Sequence, residues 1–355
     1  IRDRAQAAGA SPAYDGRFRV SDDEARRRLD AGEEAPIRFA VPRPGVTVFT
    51  DRVKGEMRFD HAQVDDFVIL RSDGSPTYHL ASTVDDVDFE ISHVIRGEDL
   101  LSSTPKHILL TEAMGAMRAT YAHLSLLMGP DGSKLSKRHG HTALQAYREA
   151  GYLPEAVLNY LALLGWSPGE DEELVSLPEM VARFSLDDVS NNPAVFDTAK
   201  LEWMNGVYIR ELPAGEFVAR SLPWVVADLG RQLDADELAV FSEIAPLVQE
   251  RTKLLTEVAP QVLFLFADIT YDETSWRKVM TKQEVPAVLA AAGAALSGLD
   301  EWSTETIEEA LRGMLDEQEL SPRKGLQPLR VAISGSSIST PLFESMDVLG
   351  KDRTL

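Results

Sequence analysis

The stretch from Ile91 to Met128 constrains the fold more than any other part of the chain. Ile91-Ser92-His93-Val94-Ile95 has the composition of a short, mostly buried strand, and it ends in Arg96-Gly97-Glu98-Asp99. Thr104-Pro105 then opens a helix: threonine can cap, and proline suits the first turn, where its missing N–H leaves no bond unmade. That helix runs to about Met114-Gly115, and Tyr121 to Met128 reads as a second strand. Strand, helix and strand within ~40 residues make a βαβ unit, with parallel strands and a right-handed crossover. Ligands of such sheets bind beyond the carboxyl ends of the strands. Here those ends are Arg96 to Asp99 and the loop Gly129 to Gly140, so two polar segments converge on one edge.

The flanking segments set the architecture. Ser21 caps a helix to Asp30, with acidic Asp22, Asp23 and Glu24 at its start and Arg26 to Arg28 toward its end. Ile37 to Val41 and Val46 to Thr50 read as short strands. Phe67 to Arg71, the turn Ser72-Asp73-Gly74-Ser75-Pro76 and Thr77 to Val84 read as a β-hairpin. After Gly140 the apolar residues recur at helical spacing, with Gly151 and Pro154 separating two helices. From Ala214 to Leu355 nearly every segment has helical period, broken at Pro223, Pro246, Pro260, Pro286, Pro322 and Pro328. The expected architecture is an α/β front followed by an all-helical rear.

Composition narrows the function classes. The 355 residues suit two or three domains, and Lys plus Arg number 36 against 57 Asp plus Glu, a net charge of −21. Such a field repels phosphate backbones and anionic membranes, so a nucleic-acid enzyme of this charge must group its cations locally. There is no cysteine, which removes disulfides, thiol nucleophiles and Cys-ligated zinc, and fits a reducing cytoplasm. No run of ~18 apolar residues is present, so no helix is expected to cross a membrane.

The loop Gly129-Pro130-Asp131-Gly132-Ser133-Lys134-Leu135-Ser136-Lys137-Arg138-His139-Gly140 puts three cations within five residues. Lysines on a glycine-flanked loop suit a polyphosphate whose charge grows as a bond breaks; a solvated basic turn is the plainer alternative. It is not a Walker loop. Arg96 can fork onto a carboxylate ligand or pair with Glu98 or Asp99. Tyr78 and Ser82, four apart on the expected strand, share one face. His139 and His141 could begin a metal site, but no third ligand follows, and a hydrogen-bonded or solvent-facing pair is the plainer reading.

Lys134-Leu135-Ser136-Lys137-Arg138 resembles the Lys-Met-Ser-Lys-Ser signature of class I aminoacyl-tRNA synthetases. Asp73-Gly74-Ser75-Pro76-Thr77-Tyr78, Val84-Asp85-Asp86, His93-Val94-Ile95-Arg96-Gly97-Glu98-Asp99 and Ser103-Thr104-Pro105 resemble bacterial glutamyl-tRNA synthetases. So do Tyr121-Ala122-His123, Gly151-Tyr152-Leu153-Pro154-Glu155-Ala156, Lys200-Leu201-Glu202-Trp203-Met204-Asn205-Gly206 and Gln327-Pro328-Leu329-Arg330-Val331-Ala332-Ile333-Ser334-Gly335. The motifs are colinear from about Tyr14 to Leu349.

The resemblance implies a partial Rossmann-like nucleotide-binding fold with an α+β connective insertion, followed by all-α stem-contact and anticodon-binding domains. It implies an insertion over 1–77, the second half of the nucleotide-binding fold over 78–133, the signature loop and stem-contact helices over 134–212, and anticodon-binding helices over 213–285 and 286–355. The implied chemistry has two steps: glutamate attacks the α-phosphorus of ATP to give glutamyl-adenylate and pyrophosphate, and the terminal adenosine of tRNA-Glu then takes the glutamyl group. Lys134, Ser136 and Lys137 are the implied catalytic residues, with Mg²⁺ arriving on ATP. Asp99, His123, Leu124, Leu135 and Arg138 join them in the implied ATP site. Tyr78, His79, Leu80, Ala81, Ser82 and Arg96 line the implied glutamate pocket, although many relatives have Asn at the position of Ser82 and some have an aromatic residue at that of Leu100. Arg251 and Arg330 are the implied anticodon contacts, Arg251 reading the base that separates glutamate from glutamine tRNAs. Without the family, both are ordinary helix-surface cations.

The family's opening strand, its His-Ile-Gly-His-like element and a first glutamate-binding arginine have no counterpart here. From this the chain is expected to be a fragment, cut also at a short C-terminal tail and making no adenylate alone. No zinc site and no metal ligand set are expected. The partners implied are tRNA-Glu, L-glutamate and ATP, with no membrane, for a cytoplasmic monomer. Two alternatives stay open: a short form that binds tRNA or a partner without catalysis, and an enzyme charging both tRNA-Glu and tRNA-Gln.

Overall fold

The computed structural model describes residues 19–136, 143–169 and 172–355. The chain divides into two compact units, 1–136 with 161–196 and 137–160 with 197–355.

In the first unit, α1 (Asp22–Asp30) starts where Ser21 accepts a hydrogen bond from the Glu24 N–H. β1 (Ile37–Arg38) pairs antiparallel with β4 (Val68–Leu70). The main sheet has four strands, β2 (Val46–Asp51), β3 (Gly55–Asp60), β5 (His93–Gly97) and β6 (Thr120–Leu124), in the order β3-β2-β6-β5. β2 and β3 form an antiparallel hairpin, whereas β6 runs parallel to both β2 and β5. α2 (Tyr78–Asp88) precedes β5, and α3 (Thr104–Ala113) makes the crossover from β5 to β6. The expected βαβ unit is therefore present. Ile108, Leu109 and Leu110 of α3 are buried, and the last two pack with Val41, Val64, Phe67 and Leu80. Each large apolar side chain so removed from water contributes ~1.5–3 kcal/mol.

Three local expectations are corrected. Thr77 to Val84 is not a returning strand: Tyr78–Asp88 is a helix, and only Leu70 and Pro76 form an isolated bridge. The β-branched Thr83 and Val84 look strand-like, yet Leu80, Thr83, Val84 and Val87 recur at helical spacing over the full 11 residues. Packing of that face overrides local propensity. Tyr121 to Met128 is likewise not one strand, because β6 ends at Leu124 and β7 (Leu127–Met128) belongs to another sheet, pairing with β8 (Ala194–Val195). The segment from Ile91 is less buried than expected: β5 starts at His93, it is an edge strand, and Ile95 is 50% exposed. The hairpin partner of β2, Gly55–Asp60, is an element the sequence patterning did not reveal.

In the second unit, helices follow one another from Thr198 to Thr354. Phe217, Val225, Phe241, Ile244, Val248, Ile307 and Leu311 form a core with no exposed surface. Pro223 and Pro328 do not break helices here. Each lies inside one, Ala214–Leu229 and Pro322–Ser334. A mid-helix proline costs ~3 kcal/mol, and the side chains buried around it, Phe217 and Val225 in the first helix and Leu329 and Val331 in the second, outweigh that. Among the described residues no helix is long and apolar enough to cross a membrane.

Candidate active site

The carboxyl ends of three adjacent strands carry one polar residue each. Arg96 on β5 lies opposite His123 on β6, and Asp51 ends β2 opposite Tyr121. Parallel register therefore sets Asp51, His123 and Arg96 in a row across the sheet. Asp51 Oδ2 accepts from His123 Nδ1 at 2.6 Å, while its Oδ1 accepts the backbone N–H groups of His123, Val53 and Lys54. Burial would raise the Asp51 carboxyl; the bonds from His123 and the three backbone N–H groups outweigh it and hold Asp51 below the usual carboxylate range. His123 has no exposed surface, and its pKa is lowered by burial, against the pull of Asp51.

Arg96 donates through Nε to His123 Nε2 at 3.1 Å and through Nη2 to Thr104 Oγ1 at 2.9 Å. Its Nη1 lies 3.4 Å from His107 Nδ1, and His107 Nε2 lies 3.0 Å from His79 Nδ1. His107 is 2% exposed, and burial, with Arg96 beside it, pushes its pKa down to about 3. All these acceptors of Arg96 are neutral. The carboxylates that follow Arg96 are engaged elsewhere, Glu98 with Lys54 at 2.5 Å and Asp99 with Lys134 at 3.1 Å. The plainer reading of Arg96, an ion pair with either, is not what the fold makes.

Tyr78 and His79 open α2, and the Tyr78 ring lies 5.6 Å from that of His107. Tyr78 and Ser82 share a face through the i, i+4 spacing of a helix instead of the period of a strand. The Ser82 hydroxyl is buried with no hydrogen-bond partner among the described residues. Leu80 packs into the apolar cluster, and the Ala81 N–H donates to the Thr77 carbonyl.

The loop after β6 returns as a short hairpin. The Leu135 N–H donates to the Leu127 carbonyl at 2.8 Å, Met128 bridges Lys134, and Gly132 at φ +74° makes the turn that an L side chain resists. Lys134 thus reaches Asp99 across the ends of β5 and β6, and the Lys134 ammonium holds the Asp99 carboxyl below its usual range. Ser136 is exposed. Lys137, Arg138, His139 and His141 lie outside the described residues. Leu124, 37% exposed, borders an apolar cavity of about 250 Å³ with Leu127, Trp166 and Phe184.

In the helical unit, Arg251 and Arg330 converge. Arg251 donates to Gln261 Oε1 at 2.9 Å and to the Ser339 carbonyl. Arg330 donates to Ser339 Oγ at 2.8 Å and the Thr340 carbonyl at 2.6 Å. Burial lowers the pKa of both, and for Arg330 the neighbouring Arg251 adds to it.

The structure brings Tyr78, His79, Arg96 and His123 together and sets Asp99 against Lys134. Sequence reasoning missed Asp51, Thr104 and His107. Thr104 and His107 are i, i+3 on a helix otherwise rich in apolar residues, a signal that was available; Asp51 is one acid among 57, and only the register of β2 singles it out.

Residues 1–203 match the catalytic domain of the class I tRNA synthetases (E and Q), and residues 216–355 match an anticodon binding domain. The chain is 45% identical over 332 residues to a glutamate–tRNA ligase of Dehalococcoides mccartyi, covering 92% of this chain and 68% of the relative. It is 41% identical over 358 residues to that of Moorella thermoacetica, covering 100% and 73%. A crystal structure of a glutamate tRNA ligase from Elizabethkingia meningosepticum, in complex with its amino acid, matches with a TM-score of 0.79 at 31% identity, over 100% of this chain and 75% of that one.

Proposed function

The chain belongs to the class I tRNA synthetases of the glutamate and glutamine group, and from that premise we propose that it serves the ATP-dependent charging of tRNA-Glu with L-glutamate. Arg96 takes a carboxylate of glutamate, and Tyr78 and Ser82 line the same pocket. The observation that carries this is the state of Arg96: a half-buried guanidinium, forked onto neutral acceptors, with both following carboxylates engaged elsewhere. A half-buried cation without a counter-charge in contact is open to an anionic ligand, and a bound carboxylate supplies the missing charge.

Lys134 and Lys137 neutralise the phosphates as glutamate oxygen attacks the α-phosphorus and pyrophosphate leaves, a step that needs positioning and charge neutralisation more than covalent help. Mg²⁺, carried on the ATP phosphates, supplies further neutralisation there. The apolar surface at Leu124 suits adenine, and Ser136, Leu135 and Arg138 complete the loop. Arg251 and Arg330 read anticodon-loop bases, where a pair of guanidiniums without a carboxylate in contact suits base edges and phosphates. We read the protein as a cytoplasmic monomer.

Calorimetric titration of the chain with L-glutamate, L-glutamine and L-aspartate tests this. L-glutamate is expected to bind, and Arg96→Ala to abolish binding. Unchanged glutamate binding in Arg96→Ala would overturn the assignment.

A further inference from the structure

Arg96 presents a geometric problem that its own strand does not solve. A guanidinium has five N–H groups in a rigid plane, and a substrate carboxylate meets a free N–H and the charge behind it well only if that plane is held at the right angle. An aspartate could hold it, but would also neutralise the charge that the ligand needs. The fold uses other acceptors. Nε is taken by His123 Nε2, Nη2 by Thr104 Oγ1 and the Leu100 carbonyl, and one N–H of Nη1 by His107 Nδ1. One Nη1 N–H is left for a ligand.

We infer that His107, Thr104 and His123 are positioning residues that aim Arg96 at its ligand, each acting as a hydrogen-bond acceptor and leaving the arginine's charge free. The inference rests on the reading of Arg96 as the glutamate-binding arginine, and extends it to residues that do not touch substrate, among them His123, which the resemblance had put in the ATP site and which the fold buries completely against Asp51 and Arg96.

The geometry requires a specific tautomer of each imidazole. His123 must be bare at Nε2 to accept from Arg96, so its proton sits on Nδ1, where Asp51 Oδ2 accepts it at 2.6 Å. His107 must be bare at Nδ1, so its proton sits on Nε2, where His79 Nδ1 accepts it at 3.0 Å. Asp51, which can only accept, thus dictates which nitrogen of His123 faces Arg96, whereas for His107 it is the Arg96 N–H, which can only donate, that sets the tautomer, with His79 Nδ1 taking the accepting role. Asp51 stands one imidazole away from the cation, close enough to favour it and too far to occupy the fork. Burial acts in the same direction, because both rings are disfavoured from charging.

The test combines ring nitrogen NMR on the ¹⁵N-histidine-labelled full chain with glutamate titration of variants. His123 is expected as the Nδ1–H tautomer and His107 as the Nε2–H tautomer. His107→Leu, which removes the acceptor, is expected to weaken glutamate binding roughly tenfold or more. His107→Asn places an amide oxygen where Nδ1 stood and is expected to recover most of that loss, which a merely space-filling role would not produce. Thr104→Val, nearly isosteric, is expected to act like His107→Leu. If Arg96→Ala abolishes binding while His107→Leu and Thr104→Val bind as the parent does, the positioning role is wrong and the reading of Arg96 stands. The opposite tautomers would also overturn the positioning role. If the parent binds no glutamate, or if Arg96→Ala binds it normally, the underlying reading fails and takes the positioning role with it.

Discussion

Replacing Asp51 by Asn changes one atom's chemistry and leaves shape nearly intact, so its effect measures the row of polar groups across the sheet ends. The carboxylate accepts four hydrogen bonds, from His123 Nδ1 at 2.6 Å and from the N–H groups of His123, Val53 and Lys54 at 3.1, 3.0 and 2.9 Å. An asparagine keeps one oxygen for the backbone N–H groups and turns an NH₂ toward His123. The ring must then move its proton to Nε2, where it meets the Nε–H of Arg96 donor to donor. Losing a bond to a charged acceptor costs ~1.5–3 kcal/mol, and leaving buried donors unsatisfied adds ~1–3 kcal/mol. Removing a buried charge returns part of this, so the net destabilisation expected is about 3 kcal/mol. For a unit of this size that is a fall in melting temperature of roughly 6–12 °C. Scanning calorimetry of parent and Asp51→Asn measures it, and ring ¹⁵N shifts report the tautomer of His123. A melting point within about 2 °C of the parent, with the His123 tautomer unchanged, would show that Asp51 does not hold the ring.

Two further outcomes are expected. His107 has a folded-state pKa of about 3 against an ordinary 6.5, so between those values the unfolded chain binds a proton that the folded chain refuses. The stability His107 contributes as a neutral ring is complete above pH 6.5 and is lost as pH falls, by ~1.4 kcal/mol per unit. Urea unfolding at pH 7 and pH 5 is therefore expected to show the parent losing about 2 kcal/mol more than His107→Asn; equal losses would contradict it. Gly335 adopts φ +75°, and a Cβ there would lie 2.2 Å from the Thr270 carbonyl oxygen. Gly335→Ala is expected to lower the stability of the helical unit by ~2–4 kcal/mol through strain and displaced backbone, and an unchanged unfolding midpoint would count against that.

The βαβ unit was legible because Thr104-Pro105 and two apolar runs are local signals. So was the helical rear, whose apolar period is long. What was not legible depended on partners distant in sequence. Tyr78–Asp88 became a helix by packing Leu80 against the apolar cluster that holds Phe67 and Leu109, a contact that local propensity does not contain. β3 has no alternation to announce it, since Gly55-Glu56-Met57-Arg58 is mostly polar and is held by its ladder to β2. Within the site, Arg96 and the signature lysine Lys134 could be named from motif resemblance, and the structure supplies their surroundings. The side-chain acceptors of Arg96 come from α3 and β6, 8 to 27 residues away, and Asp51 from β2, 72 residues from the histidine it holds. Arg251 and Arg330 were separate candidates in the sequence. They share the Ser339 carbonyl only because a loop of the last helices turns back between them.

The chain carries an anticodon binding domain over residues 216–355, and we propose that this helical unit reads the anticodon through Arg251. The most direct measurement is binding of the chain to tRNA-Glu and to the same tRNA with the last anticodon base changed from C to G, at two salt concentrations. The unaltered tRNA is expected to bind more tightly at both concentrations, with the difference lost in Arg251→Gln. Equal binding of the two tRNAs, or discrimination that survives Arg251→Gln, would contradict it.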